Sequence, residues 1–218
     1  MFDQDAGKTN VGAHFAAAAL RVWPVSIIIG ANLIIPAAVT AAALEAEPEQ
    51  NGDTWTWTST TVADGEAITF SLSGTVQGPS IRWSMRVSYT DGTVSLDDFE
   101  LYTATTNLDS NTGSWQLFYL IDGERRNVLN ADYAVPDETH AALDFRVPNT
   151  ADRNAGDSVS YEVDGDERIF DWQEVEDALS HFVTWNAATQ IGSITATNYN
   201  NGGKACWDEN LDNAACSN

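Results

Sequence analysis

Ile81-Arg82-Trp83-Ser84-Met85-Arg86-Val87-Ser88-Tyr89 alternates apolar and polar residues without a fault. Successive side chains of a strand point to opposite faces. The stretch therefore sets Ile81, Trp83, Met85, Val87 and Tyr89 on one face, and arginine and serine on the other. That pattern predicts a half-buried antiparallel strand. Residues 68–73, Trp55 and Trp57 among threonines, residues 143–147 and residues 159–163 repeat it. Residues 114–121, SWQLFYLI, are apolar on both faces and read as a central strand. Residues 128–135 and 191–199 are further candidates.

Turn signals separate these runs: Asp64-Gly65, Gly78-Pro79, Asp91-Gly92, Asp122-Gly123, Asp164-Gly165 and Asn201-Gly202-Gly203. Asp-Gly between alternating strands marks a hairpin, because the tight turn needs positive φ. Successive hairpins argue against strand-helix-strand units and a parallel sheet. The expected fold is all-β and antiparallel, a sandwich or up-and-down barrel of about ten strands. One segment breaks the period. Asp171 and Glu174 form a near capping box, and Trp172, Val175, Leu179 and Phe182 follow at helical spacing. A short helix is expected over residues 172–181, in the C-terminal third.

Upstream of the strands, residues 22–43, VWPVSIIIGANLIIPAAVTAAA, carry no charge. Arg21 precedes the run, and Glu45, Glu47 and Glu49 follow it. A basic flank, an apolar core, small residues and an acidic chain form the pattern of an export signal. Pro36 stops the apolar core, and the small residues after it offer cleavage after Ala43 or Ala46. The run is also long enough to span a bilayer, so a retained anchor is the alternative. No cysteine stands near it to carry a lipid. Residues 1–46 are thus expected to be an export signal or membrane anchor, and residues 47–218 a single β-domain.

A formal net charge of −22, from 32 acids against 10 bases, repels phosphate backbones and anionic membrane surfaces. The acids are scattered along the whole chain, which reads as adaptation to salt, a halophilic trait, rather than as a set of cation sites. With 43% hydrophobic residues and eight tryptophans the chain is not disordered. Cys206 and Cys216, its two cysteines, are expected to form a disulfide closing a small C-terminal loop, as export permits.

No catalytic motif is present: no G-x-S-x-G, H-E-x-x-H or phosphate loop. His14, His140 and His181 read as surface or structural residues. Asp97, Asp98 and Glu100 cluster, as do Asp164, Asp166 and Glu167, but clusters of that size arise by composition alone in so acidic a chain. Residues 107–113, NLDSNTG, alternate oxygen side chains and make Asp109 and Asn111 a calcium candidate. The glycine comes late and no closing acid follows, so a plain turn is the simpler reading. Aromatics give the best hint of binding. Trp172, Trp185 and Tyr199 gather late in the chain and could stack on sugar rings or line an apolar pocket. Trp55, Trp57, Trp83 and Trp115 read as core, and Trp207 as packing against the disulfide.

Gly113-Ser114-Trp115 with Phe118-Tyr119 and Asp122-Gly123, then Val183-Thr184-Trp185-Asn186 with Gly192-Ser193, then residues 200–208 and Cys216, resemble β-rich secreted or lipoprotein-type domains of bacteria. The resemblance covers roughly Trp55 to Cys216. It implies export and a β-fold, and supplies no reaction, ligand or functional residue. The expected function is an exported, non-enzymatic binding or surface protein with no cofactor. Its partner would be a glycan or a small apolar molecule, with a membrane contact only if the N-terminal run is retained. An extracellular polymer-degrading enzyme using loop carboxylates is the alternative.

Overall fold

A computed structural model of the chain describes residues 11–22, 46–63, 66–90, 95–148 and 154–216. The apolar run over residues 23–43 and the turn pairs Asp64-Gly65 and Asp91-Gly92 lie outside them. One helix, α1, covers residues 13–22. The first seven strands are β1 (Glu49–Asn51), β2 (Thr54–Ala63), β3 (Glu66–Gln77), β4 (Ser80–Thr90), β5 (Ser95–Asn107), β6 (Thr112–Ile121) and β7 (Glu124–Ala134). The other seven are β8 (His140–Arg146), β9 (Ser158–Asp164), β10 (Glu167–Glu174), β11 (Leu179–Asn186), β12 (Gly192–Ala196), β13 (Ala205–Trp207) and β14 (Asn213–Ala214). The chain divides into two compact units, one of β1–β7 and one of α1 with β8–β14.

In each unit every strand pairs antiparallel with its successor. The all-β, antiparallel expectation holds, but sandwich and barrel do not. Each hairpin adds its strand to the edge of the last, so strand order equals chain order. Among the described residues no ladder joins β1 to β7 or β8 to β14, so each unit is an open meander. The described residues form fourteen strands rather than about ten, because short ladders such as β1, β13 and β14 carry no alternation of their own.

Strand β4 follows the alternation that predicts it. Met85 and Val87 are buried, Ile81, Trp83 and Tyr89 half-buried, and Arg82 exposed. In β6 the consecutive Leu117 and Phe118 are both buried, Leu117 in line with Tyr102 and Phe118 beneath the Arg125 guanidinium, so this part of SWQLFYLI is covered on both faces as its sequence predicts. A bulge leaves Val128 of β7 outside the pairing here, with Leu117 opposite Leu129 and Phe118 opposite Asn127. Trp115 before it, and Tyr119 and Leu120 after it, are exposed.

The helix expected over residues 172–181 is absent. That segment is the end of β10, a four-residue turn and the start of β11, closed by the pair Glu174↔Leu179. Ala178 turns the corner at φ 50°. The helical spacing of Trp172, Val175, Leu179 and Phe182 is a coincidence of this hairpin, in which Phe182 pairs with Asp171. The protein's described helix lies instead in the stretch read as leader. Phe15, Ala18 and Val22 stand at i, i+3 and i+7, a stripe one helix face can bury. Ala17, Ala18 and Val22 join Phe170, Val183, Trp185, Ile194, Ala196, Ala205 and Trp207 in the core of their unit.

Candidate functional site

Register places six residues of the β2–β7 sheet in one line across the strands: Trp55, Gly74, Trp83, Ala104, Trp115 and Ala131. Directly opposed residues share a sheet face, so tryptophan and a small residue alternate from strand to strand. Neighbouring strands lie about 4.8 Å apart, so tryptophans on every second strand recur at roughly 9.5 Å. The small residues make room for the rings. A Cβ on Gly74 would stand 2.8 Å from Cζ3 of Trp83, so the indole lies over the glycine. At the far end of the same face Tyr133 lies over Gly113 in the same manner.

The next line on this face is Trp57, Leu72, Met85, Tyr102, Leu117 and Leu129. Leu72 and Met85 are buried and ringed by Trp57, Phe70, Trp83, Leu101 and Tyr102. The rings above them run nearly parallel: Trp57 is tilted 33° to Trp83, and Tyr102 28° to Trp115. Trp55 and Trp115 remain 37% and 38% exposed at the two ends of the tryptophan line. Neither line contains a charged residue. The opposite face is hydroxyl-rich, with Thr54, Thr75, Arg82, Thr105, Ser114 and Asp132 opposed in order.

The unit of β8–β14 repeats the motif in covered form. Trp185, Gly192 and Trp207 are opposed on β11, β12 and β13. Here α1 packs on the same cluster, and Trp185 and Trp207 are only 5% and 1% exposed. The Trp207 indole N–H donates to the Gln190 carbonyl at 2.7 Å, and Phe15 of α1 meets its ring edge-on at 5.7 Å. An aromatic–glycine line is thus core where a helix covers it, and a surface in the β2–β7 sheet.

The residues expected to bind ligand fall into that covered unit. Trp185 is core. Trp172 is half-buried and lies 4.7 Å from the ring of His181, its register partner. Tyr199 shares a 2.7 Å hydrogen bond with His14 Nδ1, and the Arg21 guanidinium stands over its ring at 5.4 Å. Trp172 and Tyr199 are therefore engaged by neighbours around α1, and the three form no open aromatic face. Beside Trp185 and Trp207 a cleft of about 490 Å³ opens, lined also by Glu167, Thr184, Ser193, Lys204 and Asp208.

Asp109 and Asn111 lie in the β5–β6 turn. The Asn107 side chain accepts the Asp109 and Ser110 N–H groups at 3.0 and 3.1 Å, and Asn111 takes φ 50°. The alternating oxygens thus serve the turn. Among the described residues no group of three His, Cys, Asp or Glu is placed to hold a metal ion. Cys206 and Cys216 are bonded, with Cα atoms 5.3 Å apart. Four members of the acidic clusters are tied to bases or amides: Asp98 to Arg86, Glu100 to Arg125, Asp164 to His140, and Glu167 to the Asn186 amide.

His140 sits between Asp137 and Asp164 at 2.8 and 3.1 Å. The hydrogen bond to Asp137 and the charge of that carboxylate raise the imidazole above its ordinary 6.5. Asp137, hydrogen-bonded first by the Thr139 hydroxyl and then by His140, is held well below the usual carboxylate range. His181 is 2% exposed. Arg21 Nε can only donate, so His181 Nδ1 accepts at 3.1 Å, and its Nε2 carries the hydrogen given to Glu174 Oε1 at 2.8 Å. This histidine is saturated and covered, as a structural residue would be.

The tryptophan line is the candidate site that sequence reasoning missed. Trp55, Trp83 and Trp115 are far apart in the chain, and only strand register brings them into line. The signal that could have found them is the small residue opposite each ring, Gly74 and Ala104. No known protein family, curated protein or solved structure matches this chain. The resemblance to β-rich secreted domains therefore rests on its short motifs alone.

Proposed function

We propose that this protein is an exported, non-catalytic binder of an extended glycan, which lies across the strands on Trp55, Trp83 and Trp115. The observation that carries the reading is the recurrence of an indole on every second strand of an open sheet. Aromatic faces stack on the apolar faces of sugar rings, and indoles recurring in line favour a chain over a single sugar. The spacing of roughly 9.5 Å is close to the repeat of an extended β-1,4-linked disaccharide. The row itself carries no charge, and the net charge of −22 disfavours polyanions. The glycan is therefore neutral or cationic. No carboxylate lies in either line of this face, so binding here needs no hydrolysis.

Export is supported by the Cys206–Cys216 disulfide, which is stable in an oxidising compartment. No described helix is long and apolar enough to cross a membrane. The acidic composition fits a salty medium.

Sedimentation with insoluble β-glucan and chitin tests the reading. Each stacked ring contributes about 1 kcal/mol, so Trp115→Ala should weaken binding roughly 5- to 10-fold. Trp172→Ala should leave it unchanged. No retention of the wild-type chain on any neutral or cationic polysaccharide would defeat the proposal.

A further inference from the structure

Residues 11–22 are held to the unit of β8–β14 more specifically than a disposable leader requires. At the start of the segment the Gly12 N–H donates to the Leu211 carbonyl at 2.8 Å, and the His14 N–H to Asn213 Oδ1 at 2.9 Å. The approach is so close that a Cβ on Gly12 would stand 2.6 Å from the Asn213 backbone nitrogen. In the middle, Ala18 is fully buried and Ala17 and Val22 nearly so, against Val183, Trp185, Ile194 and Trp207. At the end, Arg21 donates to His181 Nδ1 at 3.1 Å and to Asn198 Oδ1 at 2.8 Å, and stands over Tyr199. Arg21 thereby completes the chain of donors that ends at Glu174. Without it, His181 Nδ1 is a buried acceptor with no partner, which destabilises the fold.

We infer that the face of β10–β13 is a receptor for this one helix, and that residues 11–22 stay with the unit in the working protein. The partner it fits is a short helix with an alanine stripe, a glycine at its entry and an arginine in its last turn. A ten-residue helix is marginal alone in water, so the seat and α1 form each other. Cleavage after Ala43 or Ala46 with loss of the segment would bare Val183, Trp185, Ile194 and Trp207 together. α1 and strands β8–β14 then share one compartment, whether the chain between them is intact or cut.

Two measurements on the full chain test this. The intact mass of the exported protein should include residues 11–22, as part of the chain or as a peptide that co-purifies. A product that begins after Ala43 or Ala46, with no such peptide, overturns the inference. In the uncut chain, Arg21→Glu should lower the melting temperature by several degrees and increase binding of an apolar dye. Arg21→Lys should recover part of the loss. An Arg21→Glu chain that melts like the wild type would equally overturn it.

Discussion

The indole of Trp207 lies flat across Gly192, its register partner on the neighbouring strand. A Cβ at residue 192 would run into the Trp207 ring and stand 2.5 Å from the Thr184 carbonyl oxygen. The same pairing of ring and glycine recurs at Trp83 and Gly74, and at Tyr133 and Gly113. A strand glycine normally weakens a sheet, and here a ring from the partner strand fills its place.

The two environments differ in what can give way. At Gly74 the three nearest atoms are all ring atoms of Trp83, whereas at Gly192 a backbone carbonyl also blocks the space. Overpacking in a closed site costs about 1–3 kcal/mol. Gly192→Ala should therefore fall at or above the upper end of that range, and Gly74→Ala nearer the lower. Chemical denaturation of both variants checks the order, and equal losses would mean that the carbonyl yields as easily as the ring.

The disulfide spans a sequence separation of 10 and ties β13 to the C-terminal end of the chain. Closing a loop of that length stabilises by about 3 kcal/mol in the chain-entropy account. The Cys206→Ser/Cys216→Ser double variant should lose roughly that much. Labelling of the denatured, unreduced wild type should find no free thiol; appreciable labelling would contradict the bond.

His140 gives a pH dependence of known sign. Its folded value is raised by the Asp137 carboxylate, so its contribution to stability is fully present below 6.5. That contribution is lost as pH rises through the raised folded value. Asp137 acts at the other end. Its folded value is lowered, so its contribution is present above 3.8 and is lost as pH falls through the lowered value. Both groups are exposed and the stability involved is small. NMR titration should place His140 above 6.5 in the wild type, and Asp137→Asn should bring it down. A His140 value unchanged by that substitution would show that the carboxylate does not hold the proton.

With a charge of −22, the folded chain repels itself, and added salt should relieve the repulsion. The melting temperature should rise from low to molar NaCl by more than an equal concentration of neutral osmolyte achieves. Calcium at constant ionic strength should add little, because Asn107 already organises the turn that carries Asp109. A calcium-dependent shift abolished by Asp109→Ala would reverse that statement and assign the turn a ligand.

Strand content was legible in the sequence where one face is buried and the other wet, as at Met85, Val87 and Arg82. It misled where tertiary geometry alters the period. Trp172 to Phe182 mimicked a helix because a four-residue turn happens to give helical spacing. The covering helix was hidden inside an apparent leader, since Phe15, Ala18 and Val22 gain meaning only against the face they bury. The site was hardest to read. Tryptophans on strands are usually core, and whether Trp55 and Trp115 are covered depends on what packs over the sheet. The exposed pair and the buried pair, Trp185 and Trp207, look alike as residues in a string.

On the proposed reading, Trp55, Trp83 and Trp115 bind one extended chain together. Titration calorimetry with neutral β-1,4-linked oligosaccharides of increasing length tests it most directly. The line from Trp55 to Trp115 crosses four strand spacings, about 19 Å. Affinity should climb with oligosaccharide length until the chain spans that distance and then level off, and Trp55→Ala and Trp115→Ala should each shorten the climb. Affinity independent of length, or unaltered by both substitutions, would contradict the account.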